Sequence, residues 1–119
     1  MKLLLVEDDP VVAVGLKWGL THEGHRIVHS HLARPVIGLI HHHKPDAVII
    51  DVSLPDLDGI TLGRLIRHSW PQLPILFATG HDDYEGLAEA TSNPWTACLR
   101  KPFSIEELEK MLRALCAPS

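Results

Sequence analysis

The chain of 119 residues carries a formal net charge of −4 and is long enough to bury one hydrophobic core, so we predict a single domain over residues 1–119. Its lysines and arginines are scattered, which argues against direct binding of nucleic acid, because a nucleic-acid interface needs a basic face. The two cysteines form no CxxC pair, the N-terminus shows no leader pattern, and no apolar stretch reaches the ~18 residues of a membrane span, so we expect a cytoplasmic protein without membrane contact.

Five apolar runs alternate with helix-like segments along the chain, an order typical of a doubly wound α/β sheet with helices on both faces. The run Ala47–Asp51 has four apolar residues without a polar break and then a carboxylate, which predicts a strand buried on both faces. The run His25–Ser30 is more polar, as an edge strand should be. The predicted strands are Lys2–Val6, His25–Ser30, Ala47–Asp51, Pro74–Ala78 and Ala97–Arg100.

The segments between these strands carry helix signals. Asp9 followed by Pro10 predicts an N-cap with proline at the first helical position, and Ser104 with Glu107 predicts a capping box for the last helix. We place Leu62, Leu65 and Ile66 on the inner face of the third helix. The predicted helices run from Pro10 to about Glu23, from Pro35 to about His43, from Gly59 to before Pro71, from Tyr84 to Ala90, and from Ser104 through Leu115.

Polar side chains follow four of the predicted strands at their carboxyl ends. Because these ends share one edge of a parallel sheet, the side chains can converge there. Clustered carboxylates repel one another unless a cation neutralises them, and Mg²⁺, or Mn²⁺ as an alternative, takes oxygen ligands of this kind. The residues concerned are Glu7 and Asp8, Asp51, Thr79 and Lys101.

Taken alone, Asp51 is more simply an aspartate that begins a turn, so its assignment depends on the other residues of the set. A lysine charge and a threonine hydroxyl beside a carboxylate form a cradle for a phosphoryl group, because both stabilise developing charge on phosphoryl oxygens. The pattern therefore implies an aspartyl phosphate on Asp51.

These motifs resemble the response-regulator receiver domain of two-component signalling, over essentially the whole chain. The resemblance implies a flavodoxin-like receiver fold, in which a five-stranded parallel sheet of order 2-1-3-4-5 is flanked by five helices. It implies a phosphoacceptor signalling domain that catalyses only its own phosphotransfer and autodephosphorylation, and not an enzyme with a separate substrate. The matching stretches are Leu5–Asp9, Asp51 through Gly59, Ala78–Gly80 and Lys101–Phe103.

The resemblance also implies a role for each site residue. Thr79 would donate a hydrogen bond to one phosphoryl oxygen and Lys101 would pair with another. The bond between Lys101 and Pro102 is usually cis in the family. Asp9 is expected to cap a helix and not to bind metal. The implied metal ligands are Asp8 directly, Glu7 through water, the phosphoacceptor Asp51 and the backbone carbonyl of Ser53.

One position departs from the family pattern. Many receivers carry tyrosine or phenylalanine three residues before the lysine, where this chain has Cys98, and a small apolar side chain there favours a core position over a redox sensor. Without a ring that turns inward, we expect backbone motion from Gly80 to Pro94 to act as the output relay. The resemblance implies that the output surface of the domain is formed by the fourth helix, the fifth strand and the fifth helix. The stretch Pro74–Gly80 also resembles the single-domain FAT GUY class, which tends to work with HWE-type histidine kinases.

Two further residues are expected to modulate the lifetime of the phosphorylated state. Ser53 and His81 lie two residues past Asp51 and Thr79, at positions that flank the path of the attacking water in receivers. Ser53 is small and should leave that path open. His81 either blocks the path, which we favour, or orients the water as an imidazole that titrates near neutrality.

The implied partners are a sensor histidine kinase or a histidine phosphotransfer protein, together with an output protein. The chain is either a stand-alone receiver, which the absence of a linker tail favours, or the N-terminal domain of a longer regulator. Two alternatives remain: a Mg²⁺-dependent hydrolase with Asp51 as nucleophile, and a degenerate receiver that only scaffolds.

Overall fold

The computed structural model describes residues 1–80 and 86–117. Within these residues the strands and helices alternate along the chain, as the sequence predicts. Their bounds are β1 Lys2–Val6, α1 Pro10–His22, β2 Arg26–Ser30, α2 Val36–His43, β3 Ala47–Asp51, α3 Gly59–Ser69, β4 Ile75–Thr79, α4 Leu87–Thr91, β5 Thr96–Arg100 and α5 Ile105–Cys116.

The strands form one parallel sheet in the order β2-β1-β3-β4-β5, which confirms the predicted fold class. In its register Leu5 of β1 lies beside Ile49 of β3, and Asp51 lies beside Ala78 of β4. The connections run in opposite directions from β1 and from β3. In such a sheet a crevice opens beyond the carboxyl ends of the strands where the order reverses, and Asp51 stands at that point.

Two hydrophobic cores cover the two faces of the sheet. One lies beneath α2, α3 and α4, with Phe77 as its largest fully buried side chain. The other lies beneath α1 and α5. All five residues of β3 and all five of β4 are buried, because helices cover both sides of these central strands.

Capping residues begin α1 and α5 as the sequence predicts. The Asp9 carboxylate accepts hydrogen bonds from the backbone N–H groups of Val11 and Val12, at 2.9 and 3.3 Å. Ser104 and Glu107 form the complete capping box of α5. These side chains satisfy N–H groups that the first turn of a helix leaves without an internal partner.

The structure differs from the predicted helices at Gly86 and at Leu65. The helix α4 begins at Leu87, because Gly86 has a φ of 83° that a right-handed helix cannot include; the predicted start at Tyr84 lies outside the described residues. Leu65 is 51% exposed, although it was placed on the inner face of α3. It lies about 100° around the helix axis from the buried Ile66, which takes it off the buried stripe.

Some large apolar side chains face solvent on α1. Val11, Val14 and Trp18 are all exposed there, and Trp18 is 72% exposed with its ring stacked on that of His22. Within residues 1–80 and 86–117, every helix is too short or too polar to cross a membrane.

Candidate functional site

Asp51 ends β3, a strand whose five residues are all buried, and its side chain is close to fully buried, with the residue 7% exposed. The loop that follows turns back sharply, since the N–H of Gly59 donates to the carbonyl of Val52 at 2.7 Å. A Cβ atom on Gly59 would lie 2.4 Å from the carbonyl oxygen of Asp51, so a larger residue would displace one of the two. The N–H of Ser53 donates to Oδ1 of Asp51 at 3.2 Å, which restrains the carboxylate.

Two further carboxylates reach the same place from the end of β1. One carboxylate oxygen from each of Glu7, Asp8 and Asp51 lies within 4.8 Å of the others. Glu7 is 1% exposed and its Oε2 accepts the N–H of Asp9 at 3.1 Å, whereas Asp8 is exposed. Three carboxylates with an open side fit a hard divalent cation such as Mg²⁺, which takes one or two carboxylates and keeps several waters.

Lys101 brings a positive charge to these acids from the end of β5. Its Nζ lies 3.1 Å from Oε1 of Glu7 and 3.5 Å from Oδ1 of Asp51. Its backbone N–H donates to the carbonyl of Thr79 at 2.7 Å, which ties the loop after β5 to the end of β4. The peptide bond between Lys101 and Pro102 is cis, as the resemblance implies.

The remaining predicted residues differ in burial and in their distance from the carboxyl ends of the strands. Thr79 is 1% exposed at the end of β4, and Ser53 is exposed at the rim. Gly80 is exposed just beyond β4. Cys98 is half-buried beside Phe77 and packs against the core beneath α2, α3 and α4. His81 lies outside the described residues.

Comparison with known proteins identifies the family of the chain. The chain matches the family model of the response regulator receiver domain over residues 3–113. The chain belongs to this family. It is thus a receiver domain of two-component response regulators, whose fold is that of a signalling domain.

The receiver domain is similar to proteins from several bacteria. It is 35% identical to the virulence transcriptional regulatory protein PhoP of Salmonella typhimurium, over 97% of this chain and 51% of PhoP, so the chain spans about half the length of the curated relatives it matches. Among solved structures it resembles the BeF3-activated N-terminal receiver domain of RstA from Klebsiella pneumoniae, with a TM-score of 0.89, 28% identity, and coverage of 99% of this chain and 100% of that one.

A second similar solved structure contains a metal ion. It is the receiver domain of a sensor histidine kinase from Pseudomonas aeruginosa, with a magnesium ion coordinated in the active site cleft. Its TM-score is 0.87 and its identity 26%, and the match covers 98% of each chain.

The electrostatics of the receiver site favour an added cation. Burial raises the pKa of the Asp51 carboxyl, and the neighbouring Glu7 raises it further, while the Ser53 N–H acts in the opposite direction. Burial alone would lower the pKa of Lys101, but the carboxylates of Asp51 and Glu7 outweigh it, so that pKa is raised. Among the described residues, the Lys101 ammonium lies beside the carboxylates of Glu7 and Asp51, and Asp8 brings a third carboxylate, so a bound cation would relieve their remaining repulsion.

Two contacts at the receiver site were not anticipated from the sequence. The Asp56 carboxylate accepts the N–H groups of Ala33 and Arg34, each at 2.9 Å, and these bonds lower its pKa, with burial acting against them. Asp56 therefore ties the loop after β3 to the loop after β2. The imidazole of His29 donates from Nε2 to the carbonyl of Glu7 at 2.9 Å. No specific signal in the sequence pointed to the His29 contact, because its partner depends on strand register.

Proposed function

We propose that this receiver accepts a phosphoryl group on Asp51, with Mg²⁺ held by Asp8, Asp51, the Ser53 carbonyl and, through water, Glu7. The supporting observation is the meeting of three carboxylates within 4.8 Å of one another, with the ammonium of Lys101 3.5 Å from Asp51. The donor would be a sensor histidine kinase or a histidine phosphotransfer protein. The magnesium-bound cleft of the Pseudomonas aeruginosa receiver supports the choice of cation.

The proposed transfer moves a phosphoryl group from nitrogen to oxygen. An Asp51 carboxylate oxygen forms a bond to phosphorus as the phosphorus–nitrogen bond of the phosphohistidine breaks, and the electron pair returns to the imidazole. Bound Mg²⁺ would supply positive charge to the phosphoryl oxygens. Lys101 would pair with one of these oxygens and the Thr79 hydroxyl would donate to another, so both groups stabilise the charge that develops during transfer.

Phosphate incorporation from a small-molecule donor in the presence of Mg²⁺ tests this function. We expect stoichiometric labelling of the wild type, no labelling of Asp51→Asn, and no labelling in excess chelator. Asp46→Asn is a matched control, because Asp46 is exposed immediately before β3, whereas Asp51 ends the same strand. Labelling of Asp51→Asn, or labelling that persists in excess chelator, would contradict the proposal.

Lys101 and Thr79 should respond differently to substitution. Lys101→Ala removes the charge beside Asp51 and should impair phosphorylation or its consequence, whereas Thr79→Ala should mainly weaken transmission to partners. Labelling and partner binding are measured for both variants. The proposed roles fail if neither variant changes either measurement.

The phosphorylated state should lose its phosphate by attack of water, at a rate set in part by Ser53 and His81. We propose that His81 obstructs the water, so His81→Ala should shorten the phosphoryl lifetime at any pH. If His81 instead orients the water, the variant should have a longer lifetime, and loss of phosphate should accelerate as the pH rises through ~6.5. A dephosphorylation time course of both proteins at two pH values separates these roles.

Output should pass through protein contacts on α4, β5 and α5, the surface that the receiver resemblance implies. Direct contact with nucleic acid is not proposed, because basic residues are scattered along the chain. Cys98 has no ring to turn inward, so the relay would be the backbone from Gly80 to Pro94. Hydrogen exchange should then differ in this segment with and without Mg²⁺ and a phosphoryl mimic. Equal exchange in both states would reject the relay. We propose an HWE-type kinase as one candidate for the sensor histidine kinase, and phosphotransfer from a purified kinase of that type tests it.

A further inference from the structure

His29 reaches the acidic loop from the edge of the sheet. It lies on β2, where its register partner is Leu5 of β1, and it is half-buried. Its Nε2 is 2.9 Å from the carbonyl oxygen of Glu7. A carbonyl oxygen only accepts hydrogen bonds, so the imidazole must carry a proton on Nε2 and donate it.

The carbonyl of Glu7 belongs to the peptide group that joins Glu7 to Asp8. The Glu7 side chain is buried and is held by Lys101, whereas the Asp8 side chain is exposed. The direction of the Asp8 carboxylate therefore depends on the backbone that carries it. The residue after His29 holds the same loop, since the N–H of Glu7 donates to the carbonyl of Ser30 at 3.0 Å.

We propose that His29 is a positioning residue for the cation site. By accepting its hydrogen bond, the Glu7 carbonyl fixes the plane of the following peptide group, and this directs Asp8 towards Asp51. The inference rests on the proposed function, because it concerns how the acidic cluster binds Mg²⁺. Groups that orient metal ligands typically change metal affinity by 10–100-fold when they are lost, and His29 acts through the backbone, so we expect about 10-fold.

Isothermal titration calorimetry with Mg²⁺ on the unphosphorylated protein tests the proposal. The measurement is made at the same pH and ionic strength for every variant. His29→Leu removes the donor and should weaken Mg²⁺ binding about 10-fold, whereas His29→Gln keeps a donor and should stay within about 3-fold of the wild type. His68→Leu is the control, because His68 is an exposed histidine on α3 and this variant should bind Mg²⁺ as the wild type does.

Thermal unfolding without Mg²⁺ is recorded for each variant, to separate positioning from stability. A lower melting temperature of His29→Leu with unchanged Mg²⁺ affinity would overturn the proposal, as would equal weakening in His29→Gln and His29→Leu. If His29→Leu does not fold, His29→Met takes its place. Failure of the wild type to bind Mg²⁺ rejects the proposed function together with this inference, whereas wild-type binding that His29→Leu retains rejects the inference alone.

Discussion

The helices α4 and α5 lie on opposite faces of β5 and are anchored very differently. The helix α5 is 12 residues long and begins with a complete capping box. The side chains of Leu108, Leu112 and Leu115 are buried. In α4, five residues carry one buried side chain, Leu87, and no side chain caps its N-terminus. A short helix with a single apolar anchor can shift at a lower free-energy cost than a long one, so the proposed output surface would combine a firmly anchored half and a loosely anchored half.

Two other features increase the contrast. Glu109 of α5 is buried and forms a close hydrogen-bonded pair with Nε2 of His25, just before β2, so α5 is tied to the far edge of the sheet. Beside α4, by contrast, an open cleft of about 150 Å³ lies between part of this helix and α3. Its lining includes Phe77 and Ala90, so the packing between α3 and α4 leaves space for movement.

Leucine truncation should give the largest difference between the two helices. Leu112→Ala should lower the free energy of unfolding by about 4 kcal/mol, because Leu112 is fully buried in close packing. Leu87→Ala should cost about 2 kcal/mol, because the five-residue helix that carries Leu87 can shift to fill part of the space left by the truncation. Urea unfolding of both variants measures these losses, with Leu65→Ala as an exposed control. Equal losses at positions 87 and 112 would contradict the comparison.

The buried pair on α5 should have the next largest effect. Glu109→Ala leaves the His25 imidazole buried without its acceptor and should lower the free energy of unfolding by about 3 kcal/mol. The exposed Glu106 of the same helix is the control, and Glu106→Ala should cost less than about 1 kcal/mol. In a double-mutant cycle, losses for His25→Ala and Glu109→Ala that simply add would show that the pair is not coupled.

Arg67 should matter for the α4 side. Its guanidinium donates to the carbonyls of Trp70, Pro71, Leu73 and Trp95 and to the Thr96 hydroxyl, at 2.6 to 3.1 Å. Arg67→Met leaves these acceptors unsatisfied and should lower the free energy of unfolding by about 2 kcal/mol. Hydrogen exchange should also rise around residues 93–96. Arg64→Met, on the exposed part of the same helix, is the control, and an equal loss there would remove the special role of Arg67.

The smallest effect concerns the cap of α5. Ser104→Ala removes the hydrogen bond to the N–H of Glu107 and should lower the free energy of unfolding by about 1 kcal/mol. Ser104→Asp keeps an acceptor and should retain the stability of the wild type. Thermal unfolding compares the two variants. If both lose the same stability, the cap is not what stabilises the start of α5.

Local patterns in the sequence were sufficient for most of the fold. The apolar runs that became β3 and β4 and the caps at Asp9 and Ser104 each depend on neighbouring residues, so they could be predicted. Residue propensity did not reveal that Gly86, which lies inside the predicted fourth helix, adopts a left-handed conformation before α4 begins. The placement of Leu65 was wrong because the apolar residues of α3 extend beyond its buried face. That face consists of five residues, and Leu65 is not one of them.

The contacts that the sequence did not reveal join residues far apart in the chain. His25 and Glu109 are 84 residues apart, and His29 reaches Glu7 only because β2 pairs with β1 in one particular register. The convergence of Glu7, Asp51 and Lys101 was foreseeable, because all three follow strands whose ends must share an edge. Residue type indicates which groups need partners, and only the register identifies those partners.

The three tryptophans of the chain lie in two kinds of environment, and Arg67 binds the backbone of two of them. Trp70 and Trp95 are half-buried, and the carbonyls of both accept hydrogen bonds from this guanidinium, each at 3.1 Å. Trp18 is 72% exposed on α1, against the ring of His22. An aqueous quencher such as iodide should therefore remove the Trp18 emission first. In a Trp18→Phe protein, the remaining signal would come from Trp70 and Trp95, and a change in its wavelength would report on the turn that leads into β5.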